Sequence, residues 1–350
     1  RSTYFFQDQS RGVIDQVVTA EQNEKAGVSL KAARLRTHWI SYLFCLPAIS
    51  LMFTILLVPI VVAGYLSFTD YSLGNSGFNW LGWENYETIL NRSSYQKMMY
   101  ATVTYVLVVV PVSIGLGLGA ALLIHDLGRF SDLYKAIYFL PVMAALLAMA
   151  LVWDLALHPT VGIVNQTLRT GCGTLVESVL SFGWLPWVDG AESWYSTSCA
   201  DEFPLWIGDR DYALPTICFI GIWQAFGFNM VLYLAGLTGV PRELYHAASI
   251  DGVTNSWDRF RLVTWPMLGP TTVFVVTITA INSFKVFDTV EALTWGGPAK
   301  STYVMMYAIF EKAVKENLVG FGSAITIVFL AFVLIITFTQ RYVVEKRVHY

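Results

Sequence analysis

Six apolar runs, each long enough to cross a membrane, decide what this chain can fold into. They lie near residues 40–66, 99–124, 135–157, 213–238, 268–290 and 319–340. About twenty apolar residues in a helix traverse the hydrocarbon core of a bilayer. A helix also satisfies its own backbone hydrogen bonds where no water is available. The residue balance agrees, with 55% hydrophobic and 13% charged residues, where soluble domains carry about a quarter charged. The expectation is an all-α integral membrane protein of six transmembrane helices.

Charge between the runs sets the orientation, because Lys and Arg gather on the cytoplasmic side. With the N-terminal tail (1–38) inside, the first return loop, the polar stretch 240–267 and the C-terminal end (346–350) fall on the same side. That side carries twice as many Lys and Arg as the other. Both termini are therefore expected in the cytoplasm, with Lys31, Arg34 and Arg36 anchoring the first run. The transmembrane domain is expected over 39–345.

The opposite side carries an enlarged external loop, 158–212. Its Trp184, Trp187, Trp194 and Trp206 make it too aromatic for a disordered linker, so a small folded lobe is expected. Cys172 and Cys199 fall in this loop. An oxidising periplasm permits a disulfide between them, and two reduced thiols are the alternative. Cys45 and Cys218 lie within runs and read as packing residues.

The polar stretch is unusual. Glu243-Leu-Tyr-His246-Ala247-Ala248-Ser-Ile250-Asp251-Gly252, followed later by Pro266, reads as a short helix, a break and a second short helix. Pro241 suits a first helical turn, where its missing N–H costs nothing. Ala247 and Ala248 let another surface approach the backbone closely. Gly252 can adopt the left-handed conformation that ends a helix. Thr254 or Ser256 can cap the next one, on which Trp257 and Phe260 share a face. A water-side helical knuckle between two membrane spans is a shape on which a partner docks.

This segment resembles the coupling loop of the membrane subunits of binding-protein-dependent ABC importers of type I. The family pattern of E-A-A, three residues and G, with a later proline, is matched at Ala247, Ala248, Asp251, Gly252 and Pro266. His246 stands where the family carries an acid, which removes a permanent negative charge from that point. Leu81-Gly82-Trp83-Glu84-Asn85-Tyr86 resembles the external G-x-x-N-Y segment after the first span. Leu140-Pro141, Trp153, Pro159, Gly162 and Asn165 follow the order seen around the family's third span. Trp223, Gly227, Phe228 and Gly236 resemble the span leading into the coupling loop. Trp295-Gly296-Gly297-Pro298 with Thr302 resembles a turn of the carbohydrate (maltose- and glycerol-phosphate-like) branch.

The resemblance implies a permease subunit that moves a sugar or oligosaccharide, neutral or acidic, across the bacterial inner membrane. It implies a second homologous permease, two ATPase subunits and an external solute-binding protein as partners. Coupling to the ATPase would fall to Glu243, His246, Ala247, Ala248, Asp251 and Gly252. In the maltose-type permeases, the spans flanking the coupling loop line the sugar site. Gln224, Phe228, Asn282 and Lys285 stand near the corresponding positions.

Other chemistries lack their residues. No G-x-x-x-x-G-K-[ST] phosphate loop occurs, so ATP and Mg are expected on a partner and no cofactor on this chain. Gly115, Gly117 and Gly119 lie inside an apolar run without a preceding strand and read as close helix packing. The five histidines have no metal-ligand spacing. No nucleophile–base pair points to an enzyme, and no basic, aromatic patch points to nucleic acid.

Polar groups inside membrane spans usually face a cavity or a partner. Asn282, Lys285 and Asp288 recur at helical spacing on the fifth run. Gln224, Phe228, Asn229 and Tyr233 form a polar and aromatic stripe on the fourth. Amides bind hydroxyls and an aromatic face stacks on a sugar ring. Lys285 either meets an anion on the solute, pairs with Asp288, or snorkels to the interface. An ion-gradient-driven secondary transporter using Lys285 and Asp288 as a relay is the alternative.

Overall fold

The computed structural model describes residues 40–125, 127, 131–170 and 204–345. The tail 1–38, most of the external loop including Cys172 and Cys199, and residues 346–350 lie outside the described residues. The chain divides between Val62 and Ala63 into two units.

Among the described residues the protein is all-helical. Five helices are long and apolar enough to cross a membrane, and a bent pair makes a sixth passage. The first, α1 (Ile40–Leu66), contains a π-helical turn at Phe53–Leu57. Its side chains from Ile40 to Val62 are all exposed. An apolar helix of that kind finds its solvent in lipid or in another chain.

The second unit begins with the end of α1 and a short return. Asn85 opens α2 (Glu84–Asn91) and is buried. Its amide donates to the Ser67 and Thr69 carbonyls at 2.8 and 3.0 Å. Tyr86 adds a 2.7 Å contact with the Ser67 hydroxyl. The Asn-Tyr pair thus ties down the chain leaving the first span. On the same return, the Asn79 backbone N–H and side-chain amide both donate to Asp70 and hold its carboxyl below the usual range.

Helix α3 (Ser93–His125) packs along α6 (Arg210–Thr238), and α9 (Gly269–Phe284) lies against both. One core cluster contains Met98, Tyr105, Ile217 and Phe284, and a second contains Ala121, Met230, Tyr233 and Leu268. Small residues bring the backbones together, as membrane helices require. A Cβ at Gly117 would sit 2.7 Å from the Asn229 Cβ. One at Gly227 would sit 2.0 Å from the Tyr138 carbonyl oxygen. Gly115 and Gly119 meet nothing within 4 Å, so of the three glycines only Gly117 serves packing on α6.

The third apolar run is not one straight helix. It folds as α4 (Ser131–Met143) and α5 (Leu146–Ala156), bent by 99°. Beyond it, Asn165 is buried, donating to the Pro159 carbonyl at 3.1 Å and accepting from the Trp206 indole at 2.7 Å. Trp206 thereby connects the two described ends of the external loop.

The fifth run also breaks. After α9, Lys285 occupies the C-cap, and a new helix, α10, starts at Asp288 and ends at Leu293. The turn that follows is tied by Thr302, whose hydroxyl donates to the Gly297 carbonyl at 2.7 Å. Helix α11 (Met305–Phe310) continues into a π turn (Glu311–Lys315), and α12 (Val319–Glu345) completes the bundle. The first free N–H of α11, that of Met305, donates to the buried Thr102 hydroxyl at 2.9 Å. Lys315 bridges back to Glu291 at 2.8 Å, and this hydrogen bond raises its pKa.

Candidate functional site

The polar stripe of α6 and the broken end of α9 meet in one cavity. It has a volume of 440 Å³, and Gln224, Phe228, Asn282 and Lys285 all line it. Helix α6 brings Gln224 and Phe228 one turn apart, since residues four apart share a face. Asn282 comes from the last turn of α9 and Lys285 from its cap. The cavity therefore offers two amides, an aromatic face and a cation between membrane-spanning helices.

Asn229 also borders this cavity but is fully buried, with its amide turned to neighbouring spans. Its amide donates to Ser113 on α3 at 3.2 Å, and its carbonyl accepts from Thr279 on α9 at 2.7 Å. Asn229 thus clamps three spans together. Tyr233 is likewise buried within the second core cluster. The sequence stripe contained both site and clamp residues, and only the rotation of α6 separates them.

The expectation that Asn282, Lys285 and Asp288 share one continuous helical face is corrected. The helix stops at Phe284, and Phe287 has φ −145° and ψ −58° before α10 begins. All three residues nevertheless border the same cavity. Among the described residues, no ion pair joins Lys285 to Asp288. The pairing with Asp288 weighed from the sequence is absent among the described residues, and Lys285 borders the cavity as an exposed side chain. Tyr105 is a lining residue that sequence reasoning missed. Nothing in the sequence separates it from the other apolar-run tyrosines.

The second feature is the knuckle. Helix α7 (Arg242–Ile250) follows Pro241 and ends as the Asp251 and Val253 N–H groups donate to the Ala247 and Ala248 carbonyls, both at 3.0 Å. Gly252 lies at φ +87°, in the left-handed region a helix stop requires. The next segment, α8, runs through Ser256–Arg259, a π turn (Phe260–Thr264) and Trp265–Met267. Its cap is Asn255, which accepts from the Trp257 N–H at 3.2 Å. Neither Thr254 nor Ser256 fills that role, because Asn255 holds the position just before the first helical residue.

The two helices are locked together. Val240, Ala248 and Val263 form a small core, with Tyr245 and Val253 packed on it. The Tyr245 hydroxyl meets Thr264 at 3.1 Å, and the Arg259 guanidinium lies 5.3 Å from the Tyr245 ring centre. Trp257 and Phe260 stack at 5.6 Å. Ala248 is therefore buried inside the knuckle and is not available to a docking surface. Glu243, His246, Ala247, Asp251 and Gly252 remain exposed. Leu244 and Ile250 join Ala247 at three-residue spacing on the exposed face, with Ile250 86% exposed. The sequence reading overlooked Leu244 and Ile250 because it attended to the small residues.

A helical bundle whose spans enclose a mostly apolar cavity with a few polar groups, and a packed knuckle between two of the spans, defines a membrane transport subunit. Residues 113–349 match the family described as the inner membrane component of binding-protein-dependent transport systems. The chain belongs to this family.

Among curated relatives, the lactose transport system permease LacF of Rhizobium radiobacter is 29% identical over 87% of this chain and 94% of its own. The arabinooligosaccharide permease AraP of Halalkalibacterium halodurans is 28% identical, covering 89% of this chain and 91% of its own. The sn-glycerol-3-phosphate permease UgpA of Agrobacterium fabrum is 26% identical, covering 89% and 96%. In fold, the chain matches a subunit from the crystal structure of a bacterial ABC transporter that imports the acidic polysaccharide alginate. There the TM-score is 0.70 at 18% identity, over 89% of this chain and 96% of the other.

Proposed function

We propose that this chain is one permease subunit of an ATP-driven importer that moves a sugar or oligosaccharide into the cytoplasm. The observation that carries the reading is the single cavity lined by Gln224, Phe228, Asn282 and Lys285. Gln224 and Asn282 present amides to solute hydroxyls, and Phe228 presents a face to a sugar ring. Lys285 presents a cation to a carboxylate, sulfonate or phosphate on the solute. Relatives named for lactose, arabinooligosaccharide and glycerol-phosphate transport support a carbohydrate-like solute.

In this reading a solute-binding protein delivers the solute from outside, and a second homologous permease completes the pathway. Two ATPase subunits hold ATP and Mg²⁺ and receive the knuckle through Glu243, His246, Ala247, Asp251, Gly252 and their apolar neighbours. The core of Val240, Ala248 and Val263 lets α7 and α8 move as one body. ATPase closure then switches the spans between discrete packed arrangements. The termini lie in the cytoplasm, following the distribution of Lys and Arg.

The test is uptake into proteoliposomes containing the subunits that copurify with this chain, with the solute-binding protein added outside. Uptake should continue on internal ATP after ionophores collapse all ion gradients. Uptake that needs a proton or sodium gradient and ignores ATP would retire this reading in favour of secondary transport.

A further inference from the structure

A second cavity, of 560 Å³, lies between the first turns of α3 and α6 and is closed on one side by the loop 299–301. It shares no lining residue with the first. Three cations, Lys97, Arg210 and Lys300, border it beside a single carboxylate, Asp211. Further along the groove the wall turns apolar, with Val108, Leu214, Phe219 and Ile222.

Two of the cations are held in place. The Lys97 ammonium donates to the Ala299 carbonyl at 3.2 Å, and the Lys300 ammonium sits 4.4 Å from the Tyr303 ring centre. Ala299 and Lys300 both take left-handed backbone angles, at φ 50° and 63°. L residues seldom adopt that region, and such strain persists only where the surroundings impose it. Arg210 has no ion-pair partner among the described residues.

Both helices are of membrane-spanning length, which sets their charged first turns at headgroup level and the apolar residues a turn or more further on against the hydrocarbon. In the topology read from Lys and Arg this groove opens on the external leaflet, and clustered cations there offer charge-assisted hydrogen bonds to a headgroup phosphate. We propose that this groove holds one anionic phospholipid, with its phosphate among Lys97, Arg210 and Lys300 and an acyl chain along Leu214, Phe219 and Ile222. A free phosphate would leave the slot empty. A sugar would leave the apolar slot unfilled, and an apolar helix of another subunit would bury three cations beside a single carboxylate.

The test uses the full chain with its copurifying subunits in nanodiscs of mixed phosphatidylglycerol and phosphatidylcholine, read by native mass spectrometry. The native protein should retain phosphatidylglycerol in preference to phosphatidylcholine. The triple variant Lys97→Gln, Arg210→Gln, Lys300→Gln should lower that retention about a hundredfold, since each cation near an anionic headgroup contributes roughly fivefold. Replacing the two lysines by arginine should preserve retention. A photocrosslinker replacing Tyr100, with the cations intact, should label lipid. The proposal is overturned by equal retention of the two lipids, by unchanged retention in the triple variant, or by displacement with millimolar glycerol phosphate. Crosslinking of position 100 to protein in place of lipid overturns it too.

Discussion

Lys285 is the residue on which the solute class turns. A lysine at membrane depth is costly unless something compensates it. Asp288 does not pair with it, although both border the 440 Å³ cavity. If the solute is anionic, Lys285→Ala should reduce uptake by one to two decades, because a charge-assisted hydrogen bond contributes about 1.5–3 kcal/mol. The double variant Lys285→Ala, Asp288→Ala should not recover the loss, since no pairing is being relieved. Uptake of labelled solute in the two variants decides the matter, and full recovery in the double variant would show that Lys285 answers to Asp288. Asn229 illustrates the opposite role. Placed beside the cavity residues in sequence and on the same cavity, it ties its amide to Ser113 and Thr279.

At the scale of elements, the knuckle separates stiffness from contact. Ala248 faces inward to fix α7 on α8, while Leu244, Ala247 and Ile250 face outward. Ile250→Asp should leave membrane insertion and expression unchanged, given its 86% exposure, yet abolish copurification of the ATPase. Gly252→Val should act differently. No atom lies within 4 Å of the added Cβ, so the penalty is backbone strain at φ +87°, of order 1–3 kcal/mol. That strain should re-aim the knuckle and lower both transport and solute-stimulated ATP hydrolysis. Normal coupling in both variants, measured as hydrolysis per solute moved, would remove α7 from the docking surface.

For the whole molecule, the distribution of charge makes a topological prediction. Single cysteines at Ser256 and at Thr302 should lie on opposite sides of the membrane, with Ser256 inside. In right-side-out vesicles, an impermeant maleimide should label the cysteine placed at Thr302 once Cys45, Cys172, Cys199 and Cys218 are removed. It should leave the one at Ser256 untouched until the membrane is permeabilised. Buried Thr302 is held by Gly297 and Thr294, so exposed Ala299 serves as a second external position if labelling at 302 is slow. Labelling of both loops from one side would break the six-passage topology.

The membrane fold, the knuckle and the polar stripes of the fourth and fifth runs were legible in the sequence because each depends on local pattern, while the choice of Gln224, Phe228, Asn282 and Lys285 among them came from the family resemblance. An apolar run of spanning length leaves a helix as its satisfied backbone form. A Pro start, small residues and a Gly stop define a short helix wherever they occur. Spacing by three and four places residues on one face while the helix continues. What the pattern could not supply was where a helix stops under tertiary load, and which way it faces. The 99° bend between α4 and α5, and the break at Lys285 ahead of α10, interrupt runs that read as continuous apolar helices. Ala248 and Ala247 are the same residue type in adjacent positions, and only packing on Val240 and Val263 turns one inward. Periodicity is a property of one helix, whereas burial belongs to the neighbours a helix finds. The sequence therefore determined the elements and their chemistry, and the tertiary structure decided which side chains bind, which clamp and which stand free.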